Sequence, residues 1–135
     1  MFKLNYRKYK LILLLRLLLI LHFLSVIAFT YLGIRSEQNS ISLLININIY
    51  DFFYLCFYLL SLVLLFILNS YGKIFFTLLV IEGVVASFSS PERIITLPDL
   101  FIFLTYFEGI LDGAILVIIY LTPLKKLFKS VKGFL

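Results

Sequence analysis

Four long apolar runs alternate with short polar stretches along the chain. A helix needs about 20 mainly apolar residues to cross the ~30 Å hydrocarbon core of a bilayer. The runs that predict such helices cover about residues 11–34, 50–68, 74–88 and 99–121, and the third is the shortest. All the prolines fall at run boundaries, where the ring removes no helix hydrogen bond (Pro91, Pro98 and Pro123). The pattern predicts an all-α integral membrane protein, a four-span transmembrane helical bundle that forms a single domain over residues 1–135.

The composition supports this class of protein. Hydrophobic residues make up 63% of the chain and charged residues 14%, and the mean hydropathy is +1.12. Few polar residues remain to form the water-facing sides of soluble helices. The first run follows a basic segment, as in a signal peptide, but it is too long, Arg16 interrupts it, and no small-x-small cleavage site follows. We therefore expect an uncleaved first span.

Lysine and arginine are concentrated at the two ends of the chain, whereas the longer loops carry only Arg35 and Arg93. By the positive-inside rule, segments rich in these residues stay in the cytoplasm. Both termini are therefore predicted to be cytoplasmic, which agrees with an even number of spans, in a bacterial cytoplasmic (inner) membrane. The residues behind this prediction are Lys3, Arg7, Lys8 and Lys10 at the start and Lys125, Lys126, Lys129 and Lys132 at the end.

The tail over residues 122–135 has the pattern of a short C-terminal amphipathic interfacial helix. Thr122 is a suitable N-cap and Pro123 a suitable first helical residue. Apolar residues then recur at spacings of three and four, with the lysines between them (Leu124, Leu127, Phe128, Val131 and Phe134). Each lysine near anionic headgroups contributes roughly 1 kcal/mol of attraction, so the four tail lysines are expected to anchor it to the inner leaflet. Docking of a cytoplasmic partner is the alternative.

A few ionisable residues interrupt the predicted spans and form a candidate intramembrane polar cluster. The members are Arg16 and His22 in the first span, Glu82 in the third, and Glu108 and Asp112 in the fourth. Counted at 1.5 Å per residue, they lie roughly 8–20 Å from the cytoplasmic boundary. An ionisable group at a helix centre costs about 2.5–3.5 kcal/mol on insertion scales. We therefore expect these side chains to face other helices or water rather than lipid.

Small residues accompany the acids at helical spacing. Gly109 and Gly113 stand four apart beside Glu108 and Asp112, and Gly83 and Ser87 stand four apart beside Glu82. Strips of small residues let helix backbones approach closely, so the third and fourth spans are predicted to pack along them. The sequence thus predicts helix packing by four residues: Gly83, Ser87, Gly109 and Gly113.

The side chains available for chemistry argue against an enzyme. His22 is the single histidine and Cys56 the single cysteine, so the chain offers no metal or haem ligand set, and we expect no cofactor. No phosphate-binding loop or Ser/His/Asp arrangement is present, and the membrane explains the basic ends without nucleic acid. Carboxylates held close together can exchange protons near neutral pH, or can simply join helices.

These observations leave three functional hypotheses. The first is a structural or accessory subunit that packs with itself, as a homo-oligomer, or with a larger membrane complex. The second is a proton- or cation-coupled small transporter or channel subunit. In length and span count the chain resembles small multidrug resistance transporters, but their acid lies in the first span, where this chain has Arg16 and His22. The third is an immunity-type membrane protein, since the chain is similar in size and span count to proteins that protect bacteria from pore-forming colicins.

Overall fold

The computed structural model describes residues 2–36, 49–89 and 99–128, and these are helical almost throughout. The four α-helices are α1 (Phe2–Ser36), α2 (Ile49–Phe66), α3 (Ser70–Ser89) and α4 (Asp99–Leu121), and a short 3-10 helix follows at Pro123–Lys126. No strand is found in these three ranges, so the predicted all-α class is confirmed. Helix α1 begins well before the predicted first span, and it includes the basic segment that precedes that span.

Two of the described helices contain segments that are long and apolar enough to cross a membrane. These are Lys8–Ala28 in α1 and Ile102–Leu121 in α4. The apolar part of α2, Phe52–Phe66, is shorter. By length and composition alone, therefore, the described residues support two spans of the predicted four.

The helices associate as two antiparallel pairs. Helix α1 packs along α4, and α2 packs along α3, whereas direct contact between α3 and α4 is sparse. Each helix presents a buried apolar stripe at three- and four-residue spacing, which is the face a helix buries against its neighbours. The stripes include Leu15 and Leu19 on α1, Leu62 and Leu65 on α2, Phe76 and Leu79 on α3, and Ile115 and Ile119 on α4. Together they form one core between the pairs.

The turn between α2 and α3 is tight and closely packed. Leu68 adopts a positive φ of 58°, and the Asn69 N–H donates to the Leu64 carbonyl at 2.8 Å, which closes the end of α2. The Asn69 side chain then accepts a hydrogen bond from the Tyr71 N–H at 2.9 Å and caps α3. At Gly72, a Cβ atom would lie 2.6 Å from the Leu65 backbone nitrogen. Only glycine therefore fits where α3 crosses the end of α2.

The start of the tail differs in part from the sequence prediction. The Leu124 N–H donates to Thr122 Oγ1 at 3.2 Å and Pro123 opens the turn, so the predicted helix start is confirmed. The described part of the tail, however, forms only one turn of 3-10 helix. Leu124 is fully buried in the core, and Phe128 is buried beside it. These side chains face protein rather than lipid because the chain folds back under α1 and α4. Lys125 and Lys126 are exposed, and residues 129–135, with Lys129 and Lys132, lie outside the described residues.

Candidate functional site: a polar cluster between the helix pairs

His22 lies at the centre of a buried polar cluster. It continues the buried stripe of α1 after Leu15 and Leu19, and only 6% of its surface is exposed. Its Nδ1 lies 2.8 Å from the Tyr58 hydroxyl oxygen, and its Nε2 lies 2.8 Å from Asp112 Oδ1. Each ring nitrogen therefore has one hydrogen-bond partner, and the tautomer of the ring decides which nitrogen donates. The ring thereby joins α1 to α2 and to α4.

Aromatic contacts complete the surroundings of the His22 ring. The Tyr58 ring lies 5.7 Å away between centroids, and the Phe76 ring of α3 meets it edge-on at 5.8 Å. Both partners are buried. His22 on α1 therefore touches a side chain from each of the other three helices, and it sits where the α1/α4 pair meets the α2/α3 pair.

A second carboxylate lies one helical turn from Asp112. Ser25 Oγ, on the next turn of α1 after His22, donates to Glu108 Oε1 at 3.3 Å. Ser25 is buried and Glu108 is half-buried. Glu108 and Asp112 thus share the face of α4 that meets α1, as their spacing of four requires. We refer to His22, Ser25, Tyr58, Glu108 and Asp112 as the polar cluster.

The structure brings together three of the five ionisable residues singled out in the sequence: His22, Glu108 and Asp112. Arg16 lies outside the cluster, with its exposed side chain over the Phe66 ring and Cζ 4.7 Å from the ring centroid. Its separation of six residues from His22 turns it about 120° away around α1, since each residue advances by about 100°. Glu82 is half-buried on α3, in the other helix pair.

Tyr58 and Ser25 belong to the polar cluster but were not singled out by the sequence analysis. Tyr58 is one of nine tyrosines, and its identity alone does not separate it from the others. Its spacing does carry a signal, because it falls four and seven residues before Leu62 and Leu65 on the buried stripe of α2. Ser25 has a similar signal, three residues after His22.

Among the residues that the structure describes, the predicted glycine contact between α3 and α4 is not made. A Cβ atom built at Gly83, Gly109 or Gly113 would meet no neighbouring atom within 4 Å. The prediction was wrong for these two helices because α3 pairs with α2 and α4 pairs with α1. The side chain of Ser87, the fourth residue of the predicted strips, lies outside what the structure describes.

The polar cluster offers chemistry of protons rather than of metals. Within residues 2–36, 49–89 and 99–128, no three His, Cys, Asp or Glu side chains are grouped so that they could hold a metal ion. The imidazole, the phenol and the two carboxyl groups can all release or take up a proton, and hydrogen bonds connect His22 to Tyr58 and Asp112. Such a set can hold helices together or pass a proton along the bonds.

Comparisons of the chain with protein-family models, with curated proteins and with solved structures find no match.

Proposed function

We propose that the chain is an integral membrane protein that crosses the bilayer four times. The supporting observation is that α2 and α3 pack side by side with α1 and α4. Tyr58 of α2 bonds to His22, which lies within the apolar segment Lys8–Ala28. Thr77 Oγ1 of α3 lies 2.9 Å from the hydroxyl oxygen of Tyr120, and Tyr120 is near the end of the segment Ile102–Leu121. If α1 and α4 span the membrane, α2 and α3 are inside it as well.

The surface and the ends of the helices fit the same proposal. Large apolar side chains are exposed on every helix, for example Leu13, Phe53, Leu78 and Ile110. Soluble monomers rarely expose continuous apolar surface of this kind, whereas lipid accommodates it. Ser70 Oγ donates to the Phe128 carbonyl at 3.4 Å, so the turn between α2 and α3 lies at the C-terminal end of α4. With the basic ends in the cytoplasm, this turn is cytoplasmic too.

Within the membrane, the chain acts as an accessory subunit that packs against another membrane protein or a second copy of itself. The observation that carries this proposal is the position of Gly109 and Gly113. Both are exposed, they stand one turn apart, and a Cβ atom at either would meet no neighbour within 4 Å. Glycines at this spacing allow close approach of another helix, and no helix within residues 2–36, 49–89 and 99–128 packs on the strip.

Substitutions at one glycine test the docking role. Gly109→Leu adds bulk that the chain itself can accept but a closely packed partner helix cannot, whereas Gly109→Ala keeps the strip small. In cross-linked intact membranes, the wild type and Gly109→Ala should give the same higher-mass species, and Gly109→Leu should lose it at equal abundance. A cross-linking pattern that is unchanged by Gly109→Leu would contradict docking at this strip.

The second candidate function is the handling of protons or cations, and the polar cluster is the observation that favours it. Asp112 is 26% exposed along its side chain, whereas His22 is buried, so the hydrogen bonds lead from a partly accessible carboxylate to an interior ring. Glu108 places a second carboxylate one turn away. Ionisable groups inside a membrane often mark such pathways.

Flux into liposomes separates the two functions. Purified wild type is compared with Glu108→Gln and Asp112→Asn at matched reconstitution, with the exposed Lys125→Gln as a control. A pathway predicts proton or cation flux in the wild type and in Lys125→Gln, and its loss in the two carboxylate variants. A docking subunit predicts no flux in any sample, together with lower stability of Asp112→Asn in detergent, because the bond to His22 is weakened.

A further inference from the structure

An apolar groove runs between α1 and α2 on the outer surface of the bundle. Its walls include Leu19, Ile20 and Phe23 from α1 and Leu59, Val63 and Phe66 from α2, and its volume is about 250 Å³. All these side chains are hydrocarbon, so the groove offers nothing to a polar ligand. Apolar walls contributed by two neighbouring helices suit a hydrocarbon chain.

Arg16 marks one end of this groove. It lies one turn before Leu19 and Ile20 on α1, and its Cζ is 4.7 Å from the ring centroid of Phe66. Phe66 is both a wall of the groove and the last residue of α2, so the guanidinium lies at the cytoplasmic end of the helices. Its side chain is exposed, and no carboxylate pairs with it in the part of the chain that the structure describes. A positive charge thus borders an apolar groove at the end nearest the turn between α2 and α3.

We propose that this groove binds an anionic phospholipid of the cytoplasmic leaflet, with an acyl chain along α1 and α2 and the headgroup phosphate at Arg16. The inference depends on the proposed membrane location but not on the docking or transport roles. A guanidinium matches a phosphate with two parallel hydrogen bonds, which a point charge cannot do. A zwitterionic lipid carries its own ammonium, which competes for that phosphate. The charge of Arg16 therefore selects anionic lipids.

Native mass spectrometry of the full chain in detergent tests this proposal. The protein is titrated with phosphatidylglycerol and with phosphatidylcholine of the same acyl chains. We expect phosphatidylglycerol to bind on the order of tenfold more tightly. A tenfold difference in affinity corresponds to about 1.4 kcal/mol, which is close to the contribution of one hydrogen bond to a charged group. Arg16→Gln should remove the preference, whereas Arg16→Lys should retain part of it.

Two further variants distinguish lipid binding in the groove from general attraction between anionic lipid and the basic residues of the chain. Val63→Phe fills the groove from a position that is 58% exposed, and it should weaken binding of both lipids. Lys125→Gln removes a charge outside the groove and should leave most of the preference for phosphatidylglycerol in place. Equal affinity for the two lipids in the wild type, or a preference that survives Arg16→Gln, would overturn the proposal. So would loss of the preference in Lys125→Gln. Recovery of the chain in the aqueous rather than the membrane fraction would instead contradict the membrane location itself.

Discussion

At the scale of single residues, His22 is the point where the helices meet. Its two ring nitrogens bond to Tyr58 and Asp112, and its ring contacts Phe76. Removing the ring leaves a buried hydroxyl and a partly buried carboxylate without these partners and opens a cavity. Removing only the phenol oxygen loses one bond. The interior of the bundle therefore depends more on His22 than on Tyr58.

This difference can be measured by unfolding the protein in detergent. Tyr58→Phe should lower the free energy of unfolding by about 0.6–1.7 kcal/mol, as for single hydrogen bonds in membrane proteins. His22→Ala should lower it by more than Tyr58→Phe does. Thr30→Ala, which removes an exposed bond within α1 to the Val26 carbonyl, serves as the matched control and should change little. Equal stability of His22→Ala and wild type would show that the ring does not join the helices.

The glycines differ from one another in what surrounds them. A Cβ atom at Gly72 would lie 2.6 Å from the Leu65 nitrogen and 2.7 Å from the Leu64 carbonyl carbon, both backbone atoms. Backbone cannot move aside easily, so Gly72→Ala should destabilise the protein by at least the 1–3 kcal/mol typical of overpacking. Gly109→Ala, with open space around it, should leave the unfolding curve of the isolated chain unchanged. Similar behaviour of the two variants would contradict the observed crossing of α2 and α3.

Sequence reasoning identified His22, Glu108 and Asp112 because charge is costly inside a membrane wherever it lies. The same rule does not say in which direction a side chain points, and it wrongly grouped Arg16 with them. The separation of six residues between Arg16 and His22 already indicates that the two side chains lie on different faces of α1. Tyr58 could not be assigned as the partner of His22, because the contact joins residues 36 positions apart and depends on how the helix pairs meet.

At the scale of elements, the 3-10 helix after α4 closes the end of the core that lies nearest the turn between α2 and α3. Leu124 is fully buried, and Nζ of Lys73 on α3 lies 4.9 Å from the ring centroid of Phe128. Leu124→Ala should therefore cost about 2–5 kcal/mol of unfolding free energy, the range for buried leucines. Lys125→Ala, at the next and exposed position, should have little effect. If both variants unfold like the wild type, this turn lies on lipid rather than on the core.

The apolar spacing of the tail predicted which face would be buried, and it correctly included Leu124 and Phe128. The spacing could not distinguish burial in protein from burial in lipid, because an apolar side chain is removed from water equally well in either environment. The glycine strips show a similar limit. Their spacing on α4 indicates a contact face, but the sequence does not say whether α3 or another molecule covers it, and within this chain α3 does not.

At the scale of the whole molecule, the proposal of four spans is based on packing rather than on helix length. Helix α2 has 18 residues and is about 27 Å long, close to the thickness of the hydrocarbon core. Its apolar part alone is too short to be counted as a span. Its bond from Tyr58 to His22 nevertheless places it beside the middle of α1. This packing is the support for the proposed four spans.

The position of the turn between α2 and α3 is the most direct test of this arrangement. A cysteine is introduced as Ile67→Cys, at a turn residue that is 62% exposed, after the native Cys56 is replaced by alanine. Labelling with a membrane-impermeant maleimide is compared in right-side-out and inside-out vesicles, with Lys125→Cys as the cytoplasmic reference. Four spans predict labelling of both cysteines from the cytoplasmic side only. Labelling of Ile67→Cys from the outer side, with Lys125→Cys still cytoplasmic, would mean that only α1 and α4 cross the membrane.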